Sequence, residues 1–110
     1  MGVSRGQLWT VAGGVYASKP RPALIVQADH FDDLDSVTVI PLTTTFLDAP
    51  LLRVPVEATA TTGLTQPSYA MIDKLTTVRR ENIHTHVGNV SSAPLLAVER
   101  ALIVFLGLGE

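Results

Sequence analysis

The chain is 110 residues long and 46% hydrophobic, a length that fits one domain over residues 1–110 and leaves little room for a second. It has no cysteine, which excludes disulfides, thiolate metal sites and a cysteine nucleophile. Its net charge of −2 excludes attachment to nucleic acid by bulk positive charge, so any such binding must rest on a few local cations. In chain order, residues 1–5 have no apolar run behind them, so no signal peptide is expected. Residues 6–11 read as a first strand, and residues 12–20, punctuated by glycine and proline, as a loop. The apolar run 22–27 suits a second strand buried on both faces. Asp29, Asp32, Asp33 and Asp35 then form an acidic loop, which reads as solvated surface.

Residues 36–42, rich in β-branched side chains, predict a third strand, with Thr43, Thr44 and Thr45 at its end. Residues 52–56 predict a fourth, and Pro55, lacking an N–H, places it at an edge or a bulge. The threonine-alanine tract 58–63 is expected to be a loop. Residues 68–75 read as a fifth strand, 80–83 as one helical turn, and 85–90 as a short sixth strand. The period then changes. Leu95, Val98, Leu102 and Phe105 recur three or four apart, which predicts an amphipathic helix with one apolar face. Ser92 is its expected N-cap, Pro94 fits its first turn and Gly107 stops it. These elements predict a mainly β fold: five or six strands in a small, strongly bent sheet or barrel, with a C-terminal α-helix packed on it. The stretch 101–106 is far shorter than a membrane span, so no membrane association is expected, and the lack of cysteine permits a cytoplasmic location.

Periodicity names no function. A resemblance does, and the residues that carry it are spread over nearly the whole chain. They are Arg5-Gly6-Gln7-Leu8-Trp9; Arg21-Pro22-Ala23-Leu24-Ile25-Val26; Val39-Ile40-Pro41-Leu42-Thr43-Thr44; Val54-Pro55-Val56 followed by Gly63-Leu64 and Pro67-Ser68-Tyr69-Ala70; Asp73-Lys74-Leu75-Thr76-Thr77-Val78; and Val87-Gly88-Asn89-Val90-Ser91. In that order and spacing they resemble the MazF/PemK toxins. The resemblance implies an SH3-like barrel of the CcdB/MazF kind, a homodimer, and sequence-specific cleavage of single-stranded RNA. It also implies a cognate antitoxin that blocks the RNA groove. The chain departs from the family pattern in four places. The loop before Arg21 is short, Gln7 stands where an acid is usual, Lys74 stands where glutamine is common, and Gln27-Ala28-Asp29 replaces a frequent Ser-Asn-Asp.

Such a reaction needs no metal and no cofactor. The RNA 2′-OH attacks the adjacent phosphorus and expels the 5′-oxygen, leaving a 2′,3′-cyclic phosphate. The protein must align the attack, neutralise the phosphorane and help move two protons. Arg21 is the first expected catalytic residue, because a guanidinium grips phosphate oxygens in pairs. A permanently charged group suits an electrostatic clamp, or a proton donor to the leaving oxygen, rather than a base, and the competing reading is an arginine that caps a strand. Thr43 is the second. Its hydroxyl can donate to phosphate, although Thr44 and Thr45 are chemically equivalent and only the resemblance singles it out. For RNA binding the expected residues are Tyr16, Lys19, Gln27, Thr44, Lys74 and Arg79.

Trp9 and Tyr16 could both stack on unpaired bases, with Trp9 read as core and Tyr16 as the RNA contact. Arg79 and Arg80 suit phosphate contacts or intersubunit ion pairs equally. His84 and His86 would share one face of a strand, but two histidines without a third ligand are weak grounds for zinc, so no metal is expected. His30 follows the second strand and has no firm role. Two alternatives share the fold: a CcdB-like gyrase poison, which would not need the Arg21–Thr43 pair, and a generic SH3-like binding module, which would not explain the ordered blocks.

Overall fold

The computed structural model describes residues 2–13 and 17–109. Among them are seven strands and one α-helix: β1 (Gln7–Gly13), β2 (Ala17–Ile25), β3 (Ser36–Thr43), β4 (Arg53–Val56), β5 (Ser68–Met71), β6 (Thr76–Arg79), β7 (Ile83–Asn89) and α1 (Ser92–Phe105). All pairings are antiparallel, in the order β4-β5-β3-β2-β1-β7, with β6 also on β3. Among the described residues, no helix is long and apolar enough to cross a membrane.

Alternation along the three central strands builds two cores on opposite faces of the sheet. Leu8, Leu24, Val26, Ile40 and Leu42 face one way, toward Val54, Val56, Ala70, Ile72 and Val98 of α1. Trp9, Val11, Ala23, Ile25, Val37 and Val39 face the other way, toward Val78 and Ile83. Hence residues 23–26 are all buried, as a strand covered on both faces requires. β4 stands at the end of the sheet, where Pro55 removes no ladder hydrogen bond from a central position.

The sheet differs from the sequence expectation in several places. β1 runs on to Gly13 and β2 already begins at Ala17, because these two residues pair across a bulge that follows Val11. Of the expected loop 12–20, the described residues 12–13 and 17–20 thus lie in strands. Pro20 and Pro22 lie in β2 beyond Ala23, the last residue of β2 that pairs with β3. The expected fifth strand is interrupted by a 3-10 turn, Ile72–Lys74, in which Ile72 is fully buried. The turn carries the chain along one edge of β3, which pairs with β5 at Leu42 and Thr43 and with β6 at residues 36–39. β6 therefore raises the number of strands to seven.

The two end strands, β4 and β7, do not pair. The loop after β4 closes the gap instead. Asn89 donates its backbone N–H to the Thr61 carbonyl at 2.9 Å. Thr62, buried, donates its hydroxyl to the Glu57 carbonyl at 2.8 Å and accepts the Thr59 N–H at 2.9 Å. Gly63 has φ +68°, and a Cβ there would lie 2.1 Å from the Val87 carbonyl oxygen, so backbone contact is possible only without a side chain.

α1 packs on β4 and on the Ile72–Lys74 turn. Its N-cap is Ser91, one residue before the expected Ser92, and the helix begins with the Leu95 N–H bonded to the Ser91 carbonyl. Val98 is buried and Leu95 and Leu102 pack on the core, but Phe105 is exposed, since the last turn runs past the strands that cover the first. Gly107 ends the helix at φ +68°: its N–H bonds the Val104 carbonyl and that of Leu108 bonds the Ile103 carbonyl.

Candidate functional site

Register decides which side chains meet. β2 and β3 pair through Ala23↔Pro41, Leu24↔Ile40 and Ile25↔Val39. That pairing ends at Ala23↔Pro41, and Arg21 and Thr43 each lie two residues past it, at the same end of the two strands. On its other edge Thr43 pairs directly with Tyr69 of β5, and Tyr69 pairs with Pro55 of β4. Residues opposite one another share a face. Tyr69 and Thr43 therefore form a row across β5 and β3, and Arg21 lies at the same end of the neighbouring β2.

The polar groups at this end are available for a ligand. Arg21 is exposed, and among the described residues no carboxylate pairs with it. Four of the other five arginines are committed, Arg5 to Glu99, Arg53 to Asp73, Arg79 to Glu81 and Arg80 to Asp32, and Arg100 lies on α1. Thr43 Oγ1 accepts the Thr45 backbone N–H at 3.1 Å. The hydroxyl proton is not used in that bond and can be donated outward. Lys19 and Thr44, both exposed, flank the same ends of β2 and β3. A guanidinium and a hydroxyl donor together can hold a phosphate through several charge-assisted hydrogen bonds.

The remaining expected residues fall elsewhere. Gln27 lies at the other end of β2, about 20 Å from Arg21 along the strand. Its side chain ties the chain together, donating to the Phe31 carbonyl and accepting the Thr38 N–H, each at 3.2 Å. Arg79 pairs with Ser36 at that same far end and makes an exposed 3.4 Å salt bridge with Glu81. Lys74 is exposed in the 3-10 turn between β5 and β6. Beside it, Asp73 meets Arg53 at 2.5 Å, and that guanidinium holds the Asp73 carboxyl below its ordinary pKa. Tyr16 lies outside the described residues.

Trp9 is buried, donates its indole N–H to Gln7 Oε1 at 2.9 Å and stacks on His86 with ring centroids 5.1 Å apart. His86 Nε2 also lies 3.0 Å from the Gly88 carbonyl and from Asn89 Oδ1. Arg80, left open between phosphate and intersubunit contacts, instead fastens the acidic loop, bonding the Leu34 and Asp32 carbonyls and the Asp32 carboxylate. Asp29 accepts the Arg5 N–H at 2.7 Å. That loop is thus partly a structural clasp. Among the described residues, no three histidine or acidic side chains are grouped as metal ligands would be. A cleft of about 620 Å³ opens between β4, the 57–62 loop and the start of α1, but none of the expected site residues lines it.

Sequence reading overlooked one feature. Phe46, in the loop after β3, is 67% exposed and meets Tyr69 edge to face with centroids 5.8 Å apart. Tyr69 enters the sequence reading only as part of a Pro-Ser-Tyr block. The signal that could have found it is the pairing of β5 with the end of β3.

A family model described as "PemK-like, MazF-like toxin of type II toxin-antitoxin system" matches residues 4–106. The chain is 50% identical over 105 residues to a probable endoribonuclease MazF of Mycolicibacterium smegmatis, covering 94% of this chain and 96% of that protein. Its structure is similar to that of the Mycobacterium tuberculosis toxin MazF-mt6, with a TM-score of 0.81, 27% identity and coverage of 94% of this chain and 99% of that one. It is also similar to a mycobacterial endoribonuclease solved in complex with its cognate antitoxin, with a TM-score of 0.80, 26% identity and coverage of 98% of both chains.

Proposed function

The chain belongs to the PemK-like, MazF-like toxins of type II toxin–antitoxin systems and is an endoribonuclease toxin, and on that premise we propose that Arg21 and Thr43 cleave single-stranded RNA at defined sequences without a metal. What supports this is that the two residues lie at the same end of neighbouring strands, with Arg21 exposed and the Thr43 hydroxyl proton unused. Arg21 contributes a permanent planar charge that neutralises the developing phosphorane. Thr43 donates a hydrogen bond to a non-bridging oxygen. Together they orient the phosphate so that the neighbouring 2′-OH lies in line with the departing 5′-oxygen. The products are a 2′,3′-cyclic phosphate and a 5′-OH end. Lys19 and Thr44, at the same ends of β2 and β3, would hold the adjoining backbone, and the exposed Lys74 would meet a longer RNA.

The same reading makes the 110 residues one functional unit, cytoplasmic, held in check by an antitoxin and working as a homodimer. The dimer is supported by the end of α1, where Ile103, Val104, Phe105, Leu106 and Leu108 are all exposed. An apolar group of that size on a small chain calls for a covering surface. The antitoxin is supported by the complex solved for a relative. No observation favours the gyrase-poison alternative. Incubating the purified protein with RNA tests the reading. RNA breakdown supports it, whereas intact RNA with damage to DNA would favour the poison.

A further inference from the structure

Beside Thr43 lies an aromatic pair for which the phosphate chemistry has no use. Phe46 is only three residues past Thr43, and its ring is fixed edge to face on Tyr69, the direct pairing partner of Thr43. The contact restrains the ring and still leaves it 67% exposed. A large aromatic side chain held rigid at the surface costs water contact and contributes little to the core. Unpaired bases are read mainly by stacking on such rings, and a base next to the cleaved phosphate would lie within reach of this one.

We propose that Phe46, braced by Tyr69, is a specificity-determining platform that stacks on the base of a nucleotide flanking the scissile phosphate. The inference rests on the reading that Arg21 and Thr43 hold that phosphate. Leu47 and Leu51 of the same loop are exposed as well, and exposed apolar side chains would also suit a protein partner. A base is favoured because the ring sits on Tyr69, the direct pairing partner of Thr43, whose hydroxyl proton is free for a phosphodiester.

The test compares the full-length protein with Phe46→Ala, Phe46→Trp and Phe46→Leu on a random-sequence single-stranded RNA pool whose cut ends are sequenced. Phe46→Ala should lower kcat/KM by about 10- to 100-fold, as removing one base-stacking ring does. Phe46→Trp should stay within about threefold of the parent and Phe46→Leu should fail like alanine, because leucine has bulk but no π face. An abasic nucleotide at the mapped flanking position should slow the parent and leave Phe46→Ala unchanged. Equal cleavage by parent and Phe46→Ala, full rescue by leucine, or a changed sedimentation mass in Phe46→Ala would each overturn the platform while leaving RNA cleavage intact. A parent that cleaves none of the pool would overturn the cleavage reading and the platform with it.

Discussion

The hydroxyl oxygen of Thr43 accepts the backbone N–H of Thr45 at 3.1 Å. The bond fixes the side chain while sparing its proton. Thr43→Ser keeps both the acceptor and the donor, so cleavage should remain within about tenfold of the parent. Thr43→Ala loses the donor to phosphate and should cost about 10- to 100-fold, less than loss of a charged clamp. Steady-state cleavage of one fluorogenic RNA checks this. A serine variant as impaired as the alanine variant would show that the methyl group matters, not the hydroxyl.

Asp73 and Arg53 predict how stability responds to acid. Arg53 lowers the Asp73 pKa in the folded chain, so the pair contributes stability above the ordinary aspartate range, and that stability is lost as pH falls through the lowered folded value. In thermal melts, the parent should exceed Asp73→Asn at pH 7, and the gap should narrow below about pH 4. A gap that is constant from pH 7 to pH 3 would mean that the ion pair is not its source.

Gly63 holds the seam between the two unpaired end strands. Alanine there must adopt φ +68° and would bring its Cβ to 2.1 Å from the Val87 carbonyl oxygen. Gly63→Ala should destabilise the fold by about 3 kcal/mol, measured by denaturant titration. Gly109→Ala is the control, since its Cβ would meet nothing within 4 Å. Equal losses at the two positions would show that backbone strain alone, not the seam, sets the cost.

The exposed end of α1 predicts a two-fold dimer. Sedimentation at micromolar concentration should give about twice the 11.8 kDa chain mass. Val104→Glu, which puts a charge into the exposed apolar group, should shift the mass toward one chain. A parent that sediments as a monomer would remove the dimer from the account.

Much of this arrangement was legible in the residues. The unbroken run Ala23-Leu24-Ile25-Val26 required cover on two faces, Pro55 required an edge, and Gly107 required a helix end. Thr76–Arg79 was not legible as a separate strand: Val78 is its one buried residue, and its partner is chosen by the bend at buried Ile72. Phe105 fits the helical period but lies beyond the strands that α1 covers. Arg21 and Thr43 were each found by resemblance, but that they lie at the same end of neighbouring strands follows only from the β2–β3 pairing. Gln27 looked like a polar reader of RNA because its bonds to Phe31 and Thr38 depend on a turn that sequence does not display.

The central claim is that Arg21 carries RNA cleavage without a metal. The most direct measurement incubates the parent, Arg21→Lys and Arg21→Ala with single-stranded RNA in EDTA, identifies the new ends, and melts each protein alongside. The parent should leave 2′,3′-cyclic phosphate and 5′-OH ends. Arg21→Ala should be slower by about 10²–10³-fold with an unchanged melting temperature, because the side chain is exposed and, among the described residues, in no salt bridge. Arg21→Lys should recover only part of the rate, since a point charge cannot grip two oxygens at once. Undiminished cleavage by Arg21→Ala, or cleavage that stops in EDTA and returns with zinc or magnesium, would contradict the claim.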